Sequence, residues 1–369
     1  MTATSWYVGL DIGSSTVAVA AAAPGAGGRA GVVGCEVLPS AGVVRGEVTD
    51  PVALEGAVGA ALARVAAHLG GPVAQVALSV SGLHVRRTPV VAEQRNRRIV
   101  RLDADRLAAL HRQALRDASG DGVVVASVMR GCRIDGLPVA DPLAGLYGQV
   151  FHLSAEVYRI PASYVDARAR ILARLGATVD LLLPRAMAAA EAALAPSERH
   201  RGAVLIDLGG ATTDVAVYLD GQVRELFAIP LGARAADRAP TSLVALFHRI
   251  RQRLDDRDLG RRIAGGVLVG GGAYAAGVRG AAQRGLRVPV RVGAPAAPLF
   301  ADPRFATAVG LALAQARLRP IDPVDLGTLA AEPAPPVALD DEDPAPERPG
   351  WLPALGRWLR EFVPLGGSE

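Results

Sequence analysis

The chain has 369 residues, half of them hydrophobic, so it can bury substantial cores, and its length indicates two domains or one large bilobal unit. The net charge of +4 is spread among acidic residues and only 4% of residues are aromatic, which argues against a nucleic-acid partner. No apolar run approaches the roughly 18 residues that cross a bilayer. Residues 1–5 lack the features of a signal peptide, and we expect a cytoplasmic protein, either soluble or held at a membrane surface.

The apolar pattern predicts strands and helices that alternate along most of the chain. The predicted strands are 6–10, 74–80, 123–128, 149–158, 179–183, 203–206, 214–218 and 266–269. The predicted helices are 51–69, 104–117, 162–175, 186–195, 242–254 and 304–316. Strands separated by helices imply wound α/β sheets. The Arg-rich segment 95–106 is interpreted as a solvated passage from a strand to a helix.

Residues 8–16 read VGLDIGSST, an apolar strand that ends in an aspartate and a tight turn. The turn at Gly13 leaves backbone N–H groups free to face a phosphate, together with nearby hydroxyl groups. Those hydroxyls belong to Ser14, Ser15 and Thr16. Because a carboxylate beside phosphates needs a cation between them, Asp11 predicts Mg²⁺ held through water.

Residues 205–214 read LIDLGGATTD and repeat this pattern almost two hundred positions later. Asp207 takes the place of Asp11 and is the second predicted metal ligand. The phosphate-binding residues predicted in this copy are Gly209, Gly210, Thr212 and Thr213. Two such turns facing each other would hold one polyphosphate and one metal ion between two lobes.

A third segment, GGVLVGGGA at 265–273, ends a strand in Gly270, Gly271 and Gly272, where an adenosine would fit. A single Gly-rich turn is common at strand ends in any α/β protein, but three in this order favour an ATP site. The Walker pattern GxxxxGK[ST] is absent, and all 40 basic residues are Arg, so neither a Walker lysine nor a catalytic lysine is available.

These three motifs resemble those of the actin-like ATPase superfamily, in the order first phosphate, second phosphate and adenosine. Within it, SVSGLHV (79–85), DPLAGLYGQVFHLSAEVYRIP (141–161) and LLLPRAMAAAEAAL (181–194) resemble the bacterial cell-division protein family FtsA. The resemblance runs over most of residues 6–319. It implies an α/β fold of the actin-like, ribonuclease H-like bilobal ATPase type, with an inserted FtsA-type subdomain and a C-terminal amphipathic helix.

The resemblance also implies a division of the chain into five parts. The first lobe comprises 6–84 and 162–202, the inserted subdomain 85–161, the second lobe 203–319, a disordered linker 320–349, and a membrane-targeting helix 350–365. The family usually carries a whole subdomain between its second phosphate and adenosine motifs, but here only 230–265 fills that place. Because that subdomain holds the nucleoside and receives FtsZ in the family, its shortening predicts weak ATP binding and argues against direct FtsZ contact.

The sequence assigns no catalytic base. Asp207, Glu191 and Thr213 are the candidates to orient water toward a terminal phosphate, but Glu191 lies in AAAEAAL, where a solvated helical carboxylate is the favoured interpretation. We therefore expect ATP to act as a structural or polymerisation ligand with little turnover.

The segment after residue 349 predicts a short amphipathic helix, because its apolar residues recur at spacings of three and four. The predicted membrane-binding residues are Trp351, Leu352, Leu355, Trp358, Leu359 and Phe362. Trp, Phe and flanking Arg suit the headgroup boundary of an anionic membrane. The alternative is a helix docked on the protein's own body, against which the long acidic, Pro-rich linker argues.

Together these features predict an FtsA-like division protein at the cytoplasmic face of the membrane and the division site. It would bind Mg-ATP, self-associate and attach FtsZ and other division proteins to an anionic membrane surface. The first alternative is a PilM-like adaptor of type IV pilus assembly, which would dock a membrane partner's peptide and need no lipid helix of its own. A sugar kinase or acetate-kinase-like phosphotransferase ranks lower, since no separate substrate lobe is visible.

Overall fold

The computed structural model describes residues 6–25, 30–118, 120–139, 145–234 and 241–318. The strands are β1 (Tyr7–Ile12), β2 (Thr16–Pro24), β3 (Ala30–Pro39), β4 (Val43–Val44), β5 (Glu47–Val48), β6 (Gln75–Val80), β7 (Arg86–Arg101), β8 (Val123–Ile134), β9 (Leu137–Val139), β10 (Tyr147–Ile160), β11 (Thr178–Pro184), β12 (Ala203–Leu208), β13 (Thr213–Leu219), β14 (Gln222–Ile229), β15 (Gly265–Val269) and β16 (Val290–Val292). The helices are α1 (Pro51–Leu69), α2 (Ala104–Asp117), α3 (Ala162–Arg174), α4 (Arg185–Ala193), α5 (Pro196–Arg201), α6 (Thr241–Asp255), α7 (Val278–Leu286) and α8 (Ala306–Leu318). The predicted linker and membrane helix lie outside the described residues.

Two five-stranded sheets have the same topology. Their strand orders are β11-β6-β1-β2-β3 and β16-β15-β12-β13-β14. In each sheet an antiparallel pair, β1 with β2 or β12 with β13, joins a parallel strand, β6 or β15, on its other side. The repeated sequence pattern therefore falls at the same place in both sheets, at the first hairpin turn.

The helices α4 and α8 pack against each other between the two sheets, and one hydrophobic core includes residues of both sheets and both helices. Two glycines permit this approach. A Cβ atom at Gly9 of β1 would lie 2.0 Å from the carbonyl oxygen of Ala308, and one at Gly310 would lie 1.7 Å from that of Ala188. The position of α4 relative to the sheets is thus fixed by backbone contact.

A four-stranded sheet of order β7-β10-β8-β9 is inserted between β6 and α3. Helix α2 covers one face of it and buries Leu107 and Leu110 against Phe151 and Leu153. The strand-to-helix interpretation of the Arg-rich segment is confirmed, because β7 ends at Arg101 and Asp103 then caps α2.

Helix α1 is long and apolar enough by composition to span a membrane, contrary to the expectation from apolar runs. Leu54, Val58 and Val65 of α1 are completely buried against the first sheet, whereas Val52 is 80% exposed. Asp50 caps its first turn by accepting hydrogen bonds from the backbone N–H groups of Val52 and Ala53. Within the structure, α1 packs one face against the first five-stranded sheet.

Within segment 230–265, which the sequence predicted to be a reduced subdomain, the structure describes helix α6. The apolar face that periodicity predicts is buried against α7 and the sheet. Its members are Leu243, Leu246, Phe247, Ile250 and Leu254. Residues 235–240 lie outside the described part of the chain.

Candidate functional site

A cavity of about 350 Å³ opens where the ends of β1, β12 and β15 meet. Its wall includes residues from all three glycine-containing motifs. The predicted residues on it are Asp11, Gly13, Ser14, Ser15, Thr16, Asp207, Gly209, Gly210, Thr212, Gly270, Gly271 and Gly272. Its volume lies in the range of small-molecule sites, about 300–1,000 Å³.

The two hairpin turns have equivalent geometry. The Gly13 N–H donates to the carbonyl oxygen of Thr16 at 2.9 Å, and the Gly209 N–H donates to that of Thr212, also at 2.9 Å. A Cβ atom at either glycine would lie 3.0 Å from that same carbonyl oxygen. The similarity of the two sequence motifs therefore reflects one turn structure built twice.

The turns also approach each other closely. A Cβ atom at Gly210 would lie 2.2 Å from Ser15 Oγ, so a larger residue there would displace the serine hydroxyl. Within the described residues, Ser15 Oγ is buried and has no hydrogen-bond partner. An unpaired buried hydroxyl on the wall of a cavity fits a polar ligand, because a phosphate oxygen would satisfy it.

The third glycine motif differs from the prediction in its physical role. Gly270 has φ +83° and lies against the Asp207 carboxylate, where a Cβ would be 2.3 Å from Oδ1. Gly272 is packed against the carbonyl oxygen of Leu208. Only Gly271 leaves open space, since a Cβ there meets no atom within 4 Å. Two of the three glycines thus serve packing within the lobe, and one leaves room beside the cavity.

Of the residues predicted to bind the nucleotide, Thr213 alone does not line the cavity. Its side chain is completely buried, and its hydroxyl donates to the carbonyl oxygen of Leu231 at 2.7 Å. Thr213 therefore supports the second turn from behind.

Sequence reasoning missed several residues of the cavity wall. They are Arg185, Ala211, Ala233, Tyr274, Arg304 and Thr307. Tyr274 is 62% exposed, and the Arg304 guanidinium lies 5.7 Å from the centre of its ring. An exposed aromatic ring just after Gly271 could have been noticed in the sequence as a surface for a flat ligand.

Arg185 is the largest departure from the predicted site. It is the first residue of α4, and its side chain is only 9% exposed. Its Nε donates to Asp11 Oδ1 at 2.9 Å, and its Nη2 donates to the carbonyl oxygen of Ile12 at 2.9 Å. In the sequence it reads as an ordinary arginine at a helix start, because its partner is 174 positions away.

Three carboxylates surround this guanidinium, those of the buried Asp207 and Asp214 and that of the partly buried Asp11. Asp207 Oδ2 lies 3.9 Å from Arg185 Nε, and Asp214 Oδ2 lies 4.0 Å from Nη1, in addition to the bond from Asp11. Burial lowers the pKa of Arg185, but the three carboxylates together raise it above its ordinary value. The arginine therefore stays positively charged under all conditions in which the protein is folded.

Burial is also the main influence on two of the carboxyl groups. It raises the pKa of Asp207 to about 7, even though Arg185 acts in the opposite direction, and Asp11 contributes to the rise. Burial likewise raises the pKa of Asp214, again opposed by Arg185. Both carboxyl groups are therefore easier to protonate than an exposed aspartate.

Asp11 and Asp207, which the sequence predicted to hold Mg²⁺ through water, both have hydrogen-bond partners from the protein itself. Asp11 Oδ1 accepts hydrogen bonds from Ser79 and Arg185, and Asp207 Oδ2 accepts one from Thr307 at 2.8 Å. Among the described residues, no group of three or more His, Cys, Asp or Glu side chains is arranged to hold a metal ion. The Arg185 guanidinium lies among these carboxylates, close to the place where the sequence predicted the Mg²⁺ ion.

Glu191 lies outside the cavity wall. Its side chain is 7% exposed, so it is not the solvated carboxylate that the sequence favoured. It accepts from Arg199 at 3.0 Å and from Arg317 at 2.8 Å. Glu191 is a buried ion-pair residue of α4, and its place in the structure gives it no access to a ligand in the cavity.

The comparisons with known proteins point to one family. No protein-family model matches the chain. A protein described as cell division protein FtsA, from Pseudomonas aeruginosa, is 28% identical over 230 residues, which cover 61% of this chain and 54% of that protein. Its counterpart from Neisseria meningitidis is 26% identical over 226 residues, 60% of this chain and 54% of that protein. The chain thus spans about half the length of these two relatives.

A longer alignment and one solved structure extend the likeness over most of the chain. The FtsA protein of Borreliella burgdorferi is 23% identical over 374 aligned positions, 83% of this chain and 90% of that protein. A chain of a PilM-PilN type IV pilus biogenesis complex superposes with a TM-score of 0.61 at 16% identity, over 85% of this chain and 99% of that chain. At this identity the structural likeness shows a shared fold.

Proposed function

We propose, from the premise that this chain is an FtsA-like protein with the actin-like ATPase fold, that it binds ATP or ADP between its two lobes and connects division proteins to the membrane. One observation is the main support for nucleotide binding. Two equivalent glycine turns, one from each sheet, face each other across a single cavity that also contains the third glycine motif. Backbone N–H groups in such turns, beside an unpaired buried serine hydroxyl, form a site for a polyphosphate.

The chemistry of the cavity favours binding over rapid turnover. Asp207, the one candidate for orienting water that lines the cavity, is buried and accepts a hydrogen bond from Thr307. Neither Glu191 nor Thr213 reaches the cavity wall. We therefore propose that the nucleotide controls structure and self-association, with slow hydrolysis at most.

Replacing Gly271 by Val should weaken nucleotide binding at least about tenfold, which corresponds to roughly 1.4 kcal/mol. A Cβ atom at this position meets no protein atom within 4 Å and the glycine does not have a positive φ, so the fold should tolerate the change. The new side chain would instead fill space that a ligand needs. Calorimetric titration of the full chain with ADP or ATP measures the change.

Gly31→Val is the matched control for this test. Gly31 lies in β3, and a Cβ there also meets nothing within 4 Å, but it is remote from the cavity wall. Both variants should keep the wild-type unfolding midpoint, and only Gly271→Val should lose affinity. Equal affinity in all three proteins would place the nucleotide elsewhere and contradict the proposed site.

The membrane part of the proposal rests on the amphipathic pattern of residues 350–365. The intact chain should float with anionic liposomes, whereas a chain ending at Pro320 should not. Trp358→Glu together with Phe362→Glu should reduce binding at least roughly a thousandfold, because each change removes about 2 kcal/mol or more of apolar burial and adds a charge. Flotation against lipid concentration gives the affinity.

A charge-matched control separates apolar insertion from simple electrostatics. Ala330→Glu together with Ala331→Glu adds the same charge in the predicted linker and should leave binding close to that of the wild type. If the truncated chain floats as well as the intact one, the membrane contact belongs to another part of the protein.

The partners follow from the family only as a proposal. We propose self-association through the lobes and attachment of other division proteins at the cytoplasmic face of the division site. Direct FtsZ binding is not part of this proposal, because the segment that fills the place of the family's receiving subdomain is short. The PilM-like alternative predicts binding of a membrane partner's peptide by a chain that does not itself bind lipid, so the flotation test also separates these two functions.

A further inference from the structure

The position of Arg185 is fixed by the backbone around it. It follows β11 directly and starts α4, whose own position is set by the close contact between Gly310 and Ala188. Its guanidinium is then held by Asp11 Oδ1 and by the carbonyl oxygen of Ile12. The Arg185 side chain is thus held in one position in the cavity wall by these hydrogen bonds.

The carboxylates around Arg185 have partners from the protein itself. Asp11 accepts from Ser79 and Arg185, Asp207 accepts from Thr307, and Asp214 Oδ1 accepts from the Gly82 N–H at 2.6 Å. Asp214 Oδ2 has no hydrogen-bond partner among the described residues and faces Arg185 Nη1 at 4.0 Å. A divalent cation bound among these oxygens would have to compete with the guanidinium and would be repelled by it.

We propose that Arg185 supplies a fixed positive charge among the aspartates of this cavity, so that the cavity binds a nucleoside diphosphate or triphosphate without requiring a divalent cation. This inference rests on the proposed nucleotide-binding function and specifies the ligand form. A guanidinium holds several N–H donors in one plane and stays charged, which suits it to the combined neighbourhood of carboxylates and phosphate oxygens. The positive charge of Arg185 therefore reduces the repulsion between the aspartates and a polyphosphate, as a metal ion would.

The first test needs no nucleotide. Unfolding midpoints of the full chain are measured in EDTA and in millimolar MgCl₂, with KCl at matched ionic strength as the salt control. The wild-type midpoint should be the same in both, because the Arg185 guanidinium already occupies the place among the carboxylates that an ion would take. Arg185→Gln should have a lower midpoint in EDTA and regain part of it with MgCl₂, since the uncompensated carboxylates would then attract the ion.

Two variants make this test specific. Arg185→Lys keeps a positive charge at the same place and should be insensitive to MgCl₂, like the wild type. Arg174→Gln removes an arginine that pairs with Glu55 on the surface, and it should show neither a loss nor a response to magnesium. A wild-type midpoint that rises with MgCl₂ overturns the proposal, even if Arg185→Gln fails to fold.

The second test titrates wild-type protein with ATP in EDTA and in MgCl₂. The dissociation constants should agree within about threefold, which is less than 1 kcal/mol. An affinity at least tenfold weaker in EDTA would overturn the proposal. Absence of binding in both conditions would defeat the proposed nucleotide function, while the unfolding test would still decide whether Arg185 takes the place of a metal ion.

Discussion

Replacing Gly310 by Ala should lower the free energy of unfolding by about 3 kcal/mol, at the upper end of the effects of overpacking. The added methyl group would lie 1.7 Å from the carbonyl oxygen of Ala188, so the backbone of α4 or α8 would have to move. Neither helix can move alone, because both contribute to the core between the sheets. Urea or thermal unfolding of the purified chain measures the loss.

The same change should also disturb the cavity, since α4 begins with Arg185. The matched control is Gly56→Ala in α1, a helical glycine where a Cβ meets nothing within 4 Å. That variant should gain up to about 1 kcal/mol from the higher helix propensity of Ala. If Gly310→Ala is as stable as Gly56→Ala, the close contact between α4 and α8 does not hold the lobes as described.

The second large effect is expected at Glu225, whose buried carboxylate joins the second lobe to the inserted sheet. Glu225 lies in β14, and its side chain is completely buried. It accepts hydrogen bonds at 3.0 Å from Arg87 and Arg130 of the inserted sheet, and from Arg253 of α6. Arg257 lies 3.7 Å away. Glu156 of β10 is the second acid of this cluster and also pairs with Arg130.

Glu225→Gln should lower the free energy of unfolding by about 2–4 kcal/mol. The change leaves the four arginines with Glu156 alone, and the arginines then repel one another. The estimate lies below the full cost for a buried ion pair, because the four guanidinium groups are 25–39% exposed and partly solvated. Chemical unfolding measures the effect, and a double-mutant cycle with Arg130→Gln measures the coupling between the two parts of the molecule.

Asp220→Asn is the matched control for Glu225→Gln. Asp220 also binds two arginines, Arg224 at 3.0 Å and Arg262 at 3.2 Å, but its side chain is 55% exposed. A solvent-exposed ion pair should contribute less than about 1 kcal/mol to the free energy of unfolding. Equal losses for the acidic residues Glu225 and Asp220 would contradict a structural role for the buried cluster.

Most of the helices and the turns of the site follow from local sequence. The predicted helices 51–69 and 104–117 have the bounds that the structure gives, because Asp50 and Asp103 cap their first turns and their apolar faces have helical spacing. The two hairpin turns were predicted because a buried strand, an aspartate and glycine stand next to one another in the chain. The likeness to FtsA rests on the same local motifs.

Strands β2 and β7 lack a local sequence pattern that would predict them. Strand β2 is rich in Ala and lies between β1 and β3 with most of both faces buried, so polar and apolar residues do not alternate. Strand β7 is an edge strand of 16 residues with many exposed arginines, and most of it reads as solvated surface. In both cases the neighbours in the sheet, and not the segment itself, decide the structure.

The sequence by itself determined that two phosphate-type turns and a glycine-rich strand end exist, because each is formed by consecutive residues. Only the tertiary structure decided what stands between the aspartates. Arg185 meets Asp11 because β11 and β1 belong to one sheet, and it approaches Asp207 and Asp214 because α4 packs between both sheets. A charge and its partners that lie in different elements leave no local pattern, so the cation at the centre of this site could be found only once the chain was folded.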